Sequence, residues 1–455
     1  MPPISHPSIT NLLTSAGIQV LLPAHDAFTE RLQSYWSNTA SALKPICIAR
    51  PSSAEEVSRT LTTLTSTGTH FAIRSGGHTQ YAGANNIQGG VTVDLGLLDW
   101  VRFDADSGMA DIGPGATWKQ VYHELQEHDR VVSGGRDGNV GVGGLVLGGG
   151  ISFFTAKRGF VCDDVIAFQV VLADGRLVVA SAAEAGAGSG HEAEAAHSDL
   201  FRCLKGGSGT NFGVVTNIKM KTMKSENIWA GLRFFTKEKT EPLSTALTDF
   251  TKNIEQNVDS HLLFFFTHLV KEAAALHEDL VNELDSFIAD GDFVTQCLIQ
   301  PLPMLYGRTS HAMQGGRNVL GLEKQPCDAL ILVIVVMVKT AVLNVRVYPK
   351  VKDWIAQLQS FAAGINVEFR GNDSNLPWIY MNYADGSQDV LRSYGEESVK
   401  LMREVAAKYD PTERNVTSDI VHSPYEGNGT DASPYAVEWL KNDPVNPLNY
   451  PAWKK

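Results

Sequence analysis

Residues 134–150 read GGRDGNVGVGGLVLGGG and hold nine glycines in 17 positions. Glycine loses more conformational freedom on folding than any other residue, so such a stretch is favoured only where the backbone must approach something closely. Apolar residues recur between and after the glycines, among them Val142, Leu145 and Ile151, which favours a buried segment over a flexible linker. The spacing does not match the GxGxxG pattern of a classical dinucleotide-binding fold. We therefore expect the backbone here to press against a flat or charged ligand.

A second glycine motif, Arg74-Ser75-Gly76-Gly77-His78, ends the predicted strand Phe71–Arg74. Glycines after a strand let the backbone turn sharply and point successive N–H groups at an anion such as a diphosphate. His78 would then stand close to the rest of the ligand. In isolation the same pattern also fits an ordinary glycine turn with an incidental histidine.

Two more segments follow in the chain. Residues 205–209, KGGSG, and Asn211–Val215 predict another tight turn that leads into a strand. Tyr380-Met381-Asn382-Tyr383 predicts a strand with Tyr380 and Asn382 on one face and Tyr383 on the other. On composition alone, aromatic residues in strands pack more often than they catalyse.

The chain divides by pattern into a leader, residues 1–40, and three longer stretches, 41–225, 226–365 and 366–455. In the first long stretch, Ser53-Ala-Glu-Glu56 predicts a capping box, and the following helix places Val57, Leu61 and Leu64 on one face.

Strands are predicted at several apolar runs and a loop at one small-residue run. Val91–Leu95 and Phe168–Leu172 predict strands, and residues 173–176 predict a hairpin turn into Leu177–Ala180. Leu262–Leu269 and Ala329–Val338 are apolar on both faces, which predicts central strands covered by helices. Ser181–Ala196 contains almost only Ala, Gly, Glu, Ser and His, and we expect a mobile surface loop there.

Composition excludes several classes of protein. The net charge of −12 argues against a nucleic-acid partner. The longest apolar run, Ala329–Val338, is shorter than the roughly 20 residues that cross a membrane. The first 30 residues lack a secretory signal pattern, which predicts an intracellular location. Five scattered cysteines without a CxxC motif predict neither a disulfide framework nor a metal site.

Taken in order, these segments resemble the FAD-linked oxidases of the vanillyl-alcohol-oxidase superfamily, and more narrowly the fungal branch of the berberine-bridge-enzyme-like group. The matches cover about residues 40–225 and 376–411 and are most specific in RSGGH, VGVGGLVLGGGISFF, LADGRLV, KGGSGTNFGVVT and YMNYADGSQD…SYGEE…KYDP. The resemblance implies an α+β fold. A two-subdomain PCMH-type FAD-binding domain would occupy residues 1–225, with its core at about 41–225. A substrate domain, 226–365, would have an antiparallel sheet covered by helices, and 366–455 would return to the FAD domain.

The resemblance also implies a cofactor, FAD, joined by one covalent bond from His78 to the 8α-methyl group of the flavin. Relatives with a second bond carry a cysteine where this chain has Asp137. Val140 matches the position that controls access of O₂ and resembles the oxidases there. The turn Arg74–Gly77 would hold the pyrophosphate, and Gly135–Gly144 would pass along the flavin. The residues expected to bind the cofactor are Arg74, Ser75, Gly76, Gly77, His78, Gly83, Gly135, Asn139, Val140, Gly141, Gly143, Gly144, Gly148, Ile151, Val214 and Asn382.

The implied activity is that of an oxidase that removes a hydride from a small alcohol or amine, in secondary metabolism, and reduces O₂ to H₂O₂. Tyr380 is the preferred catalytic base, Tyr383 the second choice, and Asn382 a third catalytic residue. A tyrosine, with a usual pKa of about 10, needs a cationic neighbour, or the loss of an anionic hydrogen-bond partner of its neutral form, to act as a base. A non-redox cyclase or lyase, a carbohydrate oxidase of the extracellular type, and a flavin-binding protein without catalysis remain open, as do the substrate and the oligomeric state. Asp164 departs from an asparagine common in the group, and the tail after Pro411 departs from its usual ending.

Overall fold

The computed structural model describes residues 7–80, 82–182, 197–208, 211–231, 233, 235, 239–266, 279–288, 293–313, 317–370 and 375–411. The strands are β1 Gln19–Leu21, β2 Cys47–Arg50, β3 Phe71–Arg74, β4 Val91–Asp94, β5 Val101–Asp104, β6 Met109–Ile112, β7 Arg130–Val131, β8 Val165–Val171, β9 Leu177–Ser181, β10 Val214–Lys221, β11 Met223–Lys224, β12 Phe264–Phe266, β13 Phe293–Leu302 and β14 Ala329–Val338. The α-helices are α1 Pro7–Ser15, α2 Asp26–Gln33, α3 Asn38–Ala42, α4 Ala54–Ser66, α5 Trp118–Gln126, α6 Val142–Leu147, α7 Thr155–Arg158, α8 Ser198–Leu204, α9 Thr240–Asn253, α10 Met304–Ala312, α11 Ala341–Arg370, α12 Val390–Ser393 and α13 Glu396–Tyr409. Most of the predicted loop Ser181–Ala196 and the tail after Pro411 lie outside the described residues.

The described residues form two compact units, one within residues 1–225, 310–321 and 379–455, the other within residues 226–309 and 322–378. This division differs at two places from the predicted one. Residues 310–321 belong to the first unit, where the Asn318 amide donates to the buried Asp163 carboxylate at 2.9 Å and Leu320 contacts Gly149 and Gly206. The second unit continues beyond residue 365, to Trp378. These contacts join residues that are far apart in the sequence, so no local sequence pattern predicts them.

The first sheet has the strand order β1-β2-β4-β3 and is parallel between β2, β4 and β3. Helix α4 lies on it and buries Val57, Leu61 and Leu64 completely, which confirms the predicted helix face. At its start the Ser53 hydroxyl accepts from the Glu56 amide at 3.2 Å, but the Glu56 carboxylate accepts from the amide of Ser52 at 2.7 Å rather than from that of Ser53. This sheet carries β3 to the turn at Ser75.

The second sheet has the order β5-β6-β10-β8-β9 and is antiparallel throughout. The predicted hairpin is confirmed: β8 pairs with β9, and the turn between them is closed by the Leu172 amide, which donates to the carbonyl of Arg176 at 2.9 Å. The mixture of a parallel sheet, antiparallel sheets and helices confirms the α+β class.

The second unit contains a three-stranded antiparallel sheet in the order β12-β13-β14. Helices α9 and α11 and the helical residues 279–285 form one apolar core with this sheet. The prediction that Ala329–Val338 is a central strand is wrong among the described residues, where β13 is central. Leu330 is 48% exposed and Met337 39%, so the strand is apolar without being buried on both faces. Only residues 264–266 of the predicted strand Leu262–Leu269 form β12, and residues 267–269 lie outside the described part.

Within the described part of the chain, no helix combines the length and the apolar character needed to cross a membrane. These residues also contain no cluster of three or more His, Cys, Asp or Glu side chains that could hold a metal ion. All five cysteines are free, and burial raises the pKa of Cys47, Cys203 and Cys297 to about 12. Those three buried thiols are protonated at neutral pH.

Candidate active site

The two glycine motifs meet backbone to backbone in the first unit. A Cβ atom on Gly141 would lie 2.5 Å from the nitrogen and 2.6 Å from the Cα of Gly76, distances that real Cβ atoms essentially never show. A Cβ on Gly143 would lie 3.1 Å from Ser75 Oγ, which itself donates to the carbonyl of Pro114 at 2.6 Å. Only glycine allows this approach, so the high glycine content has a direct structural cause at these positions.

Three amides of the turn Ser75–His78 are not used as donors within the described part of the chain. Gly77 has a φ of +76°, and its carbonyl accepts from the Trp36 amide at 3.1 Å. Among the hydrogen bonds of the described residues, none has the N–H of Gly76, Gly77 or His78 as its donor. Successive open amides in a glycine turn form a concave site for an anion. The turn therefore suits the diphosphate predicted for it.

The predicted role of Arg74 in holding the pyrophosphate stays a prediction for its backbone, because its side chain is engaged by other protein groups. Arg74 is 1% exposed, its guanidinium donates to the carbonyl of Arg31 at 2.6 Å and to Ser34 Oγ at 2.8 Å, and it lies 3.7 Å from the centroid of the Tyr35 ring. Burial lowers the pKa of Arg74, although nearby Asp94 opposes the shift. Arg74 thus fastens the end of α2 to β3, and only its backbone continues into the turn.

His78 lies half-buried at the end of this turn. Its imidazole stacks on the indole of Trp36, with the ring centroids 5.2 Å apart and the planes at 24°. Burial lowers the pKa of His78, and the Asp137 carboxylate acts in the opposite direction. Asp137 is exposed and accepts from the amide of Asn139 at 2.8 Å. Since no thiol stands there, the position offers no second attachment point.

Four other predicted cofactor residues make contacts within the protein. Gly135 lies against the indole of Trp118, and Val214 packs in the apolar core on β10. Ile151 is buried and donates its amide to the Tyr380 hydroxyl at 2.7 Å, and Gly148 lies against the Asn382 side chain. At Gly135 and Val214 a protein group fills the space on the side-chain side, so their predicted contact with the cofactor stays a prediction that concerns the backbone.

We call the meeting backbone of Ser75–His78 and Gly141–Gly150 the glycine cradle. The remaining predicted positions differ in their exposure, and Gly144 has open space beside it. A Cβ atom on Gly144 would meet nothing within 4 Å, and Gly144 is exposed. Asn139 is exposed, Val140 is half-buried, and Gly83 turns the chain with a φ of +94°. Open space beside a glycine at the start of α6, next to open amides, is a surface against which a flat ring fits.

Tyr380–Tyr383 is not a strand, so that prediction is wrong. Met381–Tyr383 forms one turn of 3₁₀ helix, which brings Tyr380 and Tyr383 edge to face with their centroids 4.7 Å apart. Tyr380 is 4% exposed, and its hydroxyl accepts from the Ile151 amide and, at 3.0 Å, from the Asn382 amide. Burial is the main cause that raises the pKa of Tyr380 well above its ordinary value. These features are unfavourable for Tyr380 as a base.

Tyr383 is half-buried and has a cationic neighbour: the Arg136 guanidinium donates to its hydroxyl. Arg136 belongs to the glycine-rich stretch, between Gly135 and Asp137. Arg136 is therefore a cationic neighbour of the kind that the sequence analysis asked for beside a tyrosine base. Of the two tyrosines, the hydroxyl of Tyr383 is the one that has this contact.

Asn382 acts as a bridge between the two segments. Its amide nitrogen donates to the carbonyl of Leu145 at 3.1 Å and to Tyr380, and its oxygen lies against Gly148. Gln80 makes a similar link, since its amide donates to the carbonyl of Ala384 at 2.7 Å. Both side chains position the tyrosines over the cradle, and the two N–H donors of Asn382 are already used.

Backbone hydrogen bonds and one ion pair support Gly149 and Gly150, at the C-terminal end of the glycine-rich stretch. The amides of Val161 and Cys162 donate to the carbonyls of Gly150 and Gly149, at 2.8 and 2.9 Å. Next in the chain, Asp164 pairs with Arg158 and accepts from Ser133 Oγ at 2.5 Å. Asp164, the departure noted in the sequence, therefore has a structural role as the partner of Arg158.

Sequence reasoning missed Arg136, Trp36 and Gln80. Arg136 could have been found, since it is the only basic residue in the motif GGRDGNVGVGGLVLGGG. Trp36 and Gln80 carry no local signal, because their partners are distant in the chain.

The fold and the site define a protein built to hold a flat, phosphate-bearing cofactor against glycine-rich backbone. Open amides at Gly76–His78 and open space at Gly144 fit the diphosphate and the ring of FAD. Residues 45–181 match the family model described as the FAD binding domain. Two solved structures share the fold: a histidine-to-alanine variant of berberine bridge enzyme (TM-score 0.66, 16% identity, covering 90% of this chain and 98% of that one) and glucooligosaccharide oxidase from Acremonium strictum (TM-score 0.64, 17% identity, 90% and 97%).

Sequence relatives are closer. The FAD-dependent monooxygenase drtC of Aspergillus calidoustus is 31% identical over 454 aligned residues, which cover 83% of this chain and 82% of that protein. The FAD-dependent monooxygenase sdcF of Emericella nidulans is 29% identical, with 90% and 96% covered. The chain therefore belongs to the family of fungal FAD-dependent oxidoreductases that includes drtC, and it has the fold of berberine bridge enzyme.

Proposed function

We propose that this enzyme is an oxidase that carries FAD on a single bond to His78, uses Tyr383 as its base and reduces O₂ to H₂O₂. The observation that carries the proposal is the contact of the Arg136 guanidinium with the Tyr383 hydroxyl beside the glycine cradle. FAD, when bound, supplies the acceptor for a hydride, which carries two electrons. The substrate class that suits this base is a small alcohol or amine of secondary metabolism.

The base is assigned to Tyr383 rather than to Tyr380, the residue preferred from the sequence. A base must lose a proton and reach the substrate. Tyr380 is buried and accepts two N–H hydrogen bonds from protein groups, whereas Tyr383 is half-buried beside a cation. Tyr380 then positions the ring of Tyr383 through their edge-to-face contact.

The residues act on the substrate in a simple order. Arg136 stabilises the negative charge on the Tyr383 oxygen, and that oxygen takes the proton of a substrate O–H or N–H group. The adjacent C–H of the substrate must then point into the open space beside Gly144. Asn382 ties the segment that carries the two tyrosines to the carbonyl of Leu145, and Gln80 ties the same segment through the carbonyl of Ala384.

Attachment at His78 is supported by its place at the end of the glycine turn and by the glucooligosaccharide oxidase of Acremonium strictum, whose FAD is described as 6-S-cysteinyl, 8α-N1-histidyl FAD. In this chain Asp137 stands where a cysteine would be needed, so one bond is proposed. Replacing a hydrogen of the flavin methyl group by imidazole withdraws electrons and favours the oxidation of difficult substrates.

The names of the sequence relatives favour a second candidate, a monooxygenase. The two activities differ in the fate of oxygen. An oxidase releases both atoms of O₂ as peroxide, whereas a monooxygenase leaves one in the product. Turnover under ¹⁸O₂, with peroxide quantified in the same sample, distinguishes them: label in the product and little peroxide would replace the oxidase proposal.

Variants test the base. On anaerobic mixing with a substrate found by a peroxide-reading screen, bleaching of the flavin near ~450 nm measures the reductive step. We expect Tyr383→Phe to slow bleaching by about 10²–10⁴-fold, the range for general-base catalysis. Tyr380→Phe is the matched control, which removes a hydroxyl from the neighbouring ring and keeps most of the rate. The opposite ranking would return the role to Tyr380, and turnover without any bleaching would favour a non-redox cyclase.

A further inference from the structure

We infer that Trp36 is a positioning residue that holds the imidazole of His78 in the orientation from which it bonds to the flavin. The inference rests on the proposed attachment at His78 and deepens it. The indole and the imidazole are stacked, with their centroids 5.2 Å apart and their planes at 24°. Trp36 is 48% exposed, so it covers one face of His78 from the solvent side instead of filling the core.

The backbone of Trp36 is tied to the same turn as His78. Its amide donates to the carbonyl of Gly77, the residue before His78, at 3.1 Å. The residues just before Trp36 are held by Arg74, whose buried guanidinium donates to Ser34 and stacks on Tyr35. Trp36 and His78 are therefore joined through the backbone of the turn as well as through their stacked rings.

Stacking matters because the bond forms in the plane of the imidazole, along the lone pair of one ring nitrogen. Rotation about the Cβ–Cγ bond would swing that lone pair away, and a ring against one face of the imidazole restricts the rotation. Burial lowers the pKa of His78, which favours the neutral ring that has a free lone pair. The overall change is balanced: one imidazole N–H and one methyl C–H are lost, one N–C bond forms, and two protons and two electrons pass to O₂ as H₂O₂.

The experiment uses the full-length chain, expressed with limiting riboflavin and then incubated with FAD. Flavin that stays with acid-precipitated protein is measured over time. We expect Trp36→Leu to slow its appearance by roughly two- to tenfold, the factor that corresponds to the usual energy of aromatic stacking. Trp36→Phe keeps a stacked ring and should stay near the wild-type rate. Trp229→Leu, the same change at a tryptophan that is 86% exposed, is the control and should equal wild type.

Thermal unfolding is recorded for each variant, and Trp36→Gln replaces the leucine variant if that one does not fold. A wild-type rate in Trp36→Leu or Trp36→Gln overturns the inference. So does an equal loss in Trp36→Phe with unchanged unfolding, because stacking is retained there. If acid releases the flavin of the wild-type protein, the proposed attachment at His78 is wrong. That result comes from the wild type alone and so is distinct from the results that contradict the role of Trp36.

Discussion

Gly144→Ala separates the stability of the protein from its ability to hold a cofactor. A Cβ at this position in α6 meets nothing within 4 Å, and alanine is favoured over glycine inside a helix by about 1 kcal/mol. The variant should therefore fold and melt a few degrees higher, by roughly 2–4 °C for a unit of this size. If the flavin ring lies against Gly144, the same methyl group enters its space, and overpacking of this kind costs about 1–3 kcal/mol. Flavin binding should weaken by about fivefold to 150-fold.

The measurement needs reversible binding, so both the parent and the variant carry His78→Ala. Titration with FAD, followed by quenching of flavin fluorescence, gives the dissociation constants. Gly364→Ala is a matched control, since Gly364 also lies in a helix with nothing within 4 Å of a Cβ and belongs to the second unit. Gly141→Ala is the opposite case, with a clash against the backbone of Gly76, and should lower stability. Unchanged FAD affinity in Gly144→Ala would refute the placement of the flavin beside α6.

The remaining predictions concern attachment, the ion pairs and pH. His78→Ala should leave its flavin fully extractable by acid, whereas acid-precipitated wild-type protein stays yellow and yields a flavin-bearing peptide that contains His78; a yellow precipitate from the variant would contradict the assignment. Asp164→Asn should lower the free energy of unfolding by about 3 kcal/mol, because Arg158 loses a buried partner. Urea denaturation measures this loss in the wild-type background and in the Arg158→Met background. Equal losses in the two backgrounds would show that the ion pair does not stabilise the protein. Burial lowers the pKa of His197, so the unfolded chain takes up a proton first as the pH falls below about 6.5, and stability declines there. When the pH is lowered from about 7 to about 5.5, the urea concentration at the unfolding midpoint should fall less in His197→Gln than in the wild type. An equal fall in both proteins would show that His197 is not the cause.

The local sequence was sufficient for elements whose cause is local. The helix after Ser53, the strand before Ser75 and the hairpin between β8 and β9 follow from caps, turns and apolar spacing, and all three are present. The spacing of the glycines predicted backbone that lies close to a ligand. The family and its cofactor, FAD, were implied by the resemblance of several motifs, taken in order, to those of known flavoproteins.

Other features could not be read because they depend on the pairing of distant segments. The segment at Tyr380 looked like a strand, yet the hydrogen bonds of Tyr380 and Asn382 to the glycine-rich stretch hold it as a 3₁₀ turn. The apolar run Ala329–Val338 indicated burial on both faces, but apolar composition alone does not fix the position of a strand within a sheet.

By itself, the sequence determined that this chain folds around glycine-rich backbone and holds FAD. Only the tertiary structure decided what individual side chains do there: Arg74 fastens α2 to β3, Arg136 lies beside Tyr383, and Trp36 covers His78. The physical reason is that a glycine indicates the local requirements of its own backbone, such as a close approach or a positive φ. The role of a charged or aromatic side chain depends instead on the partner that folding brings to it.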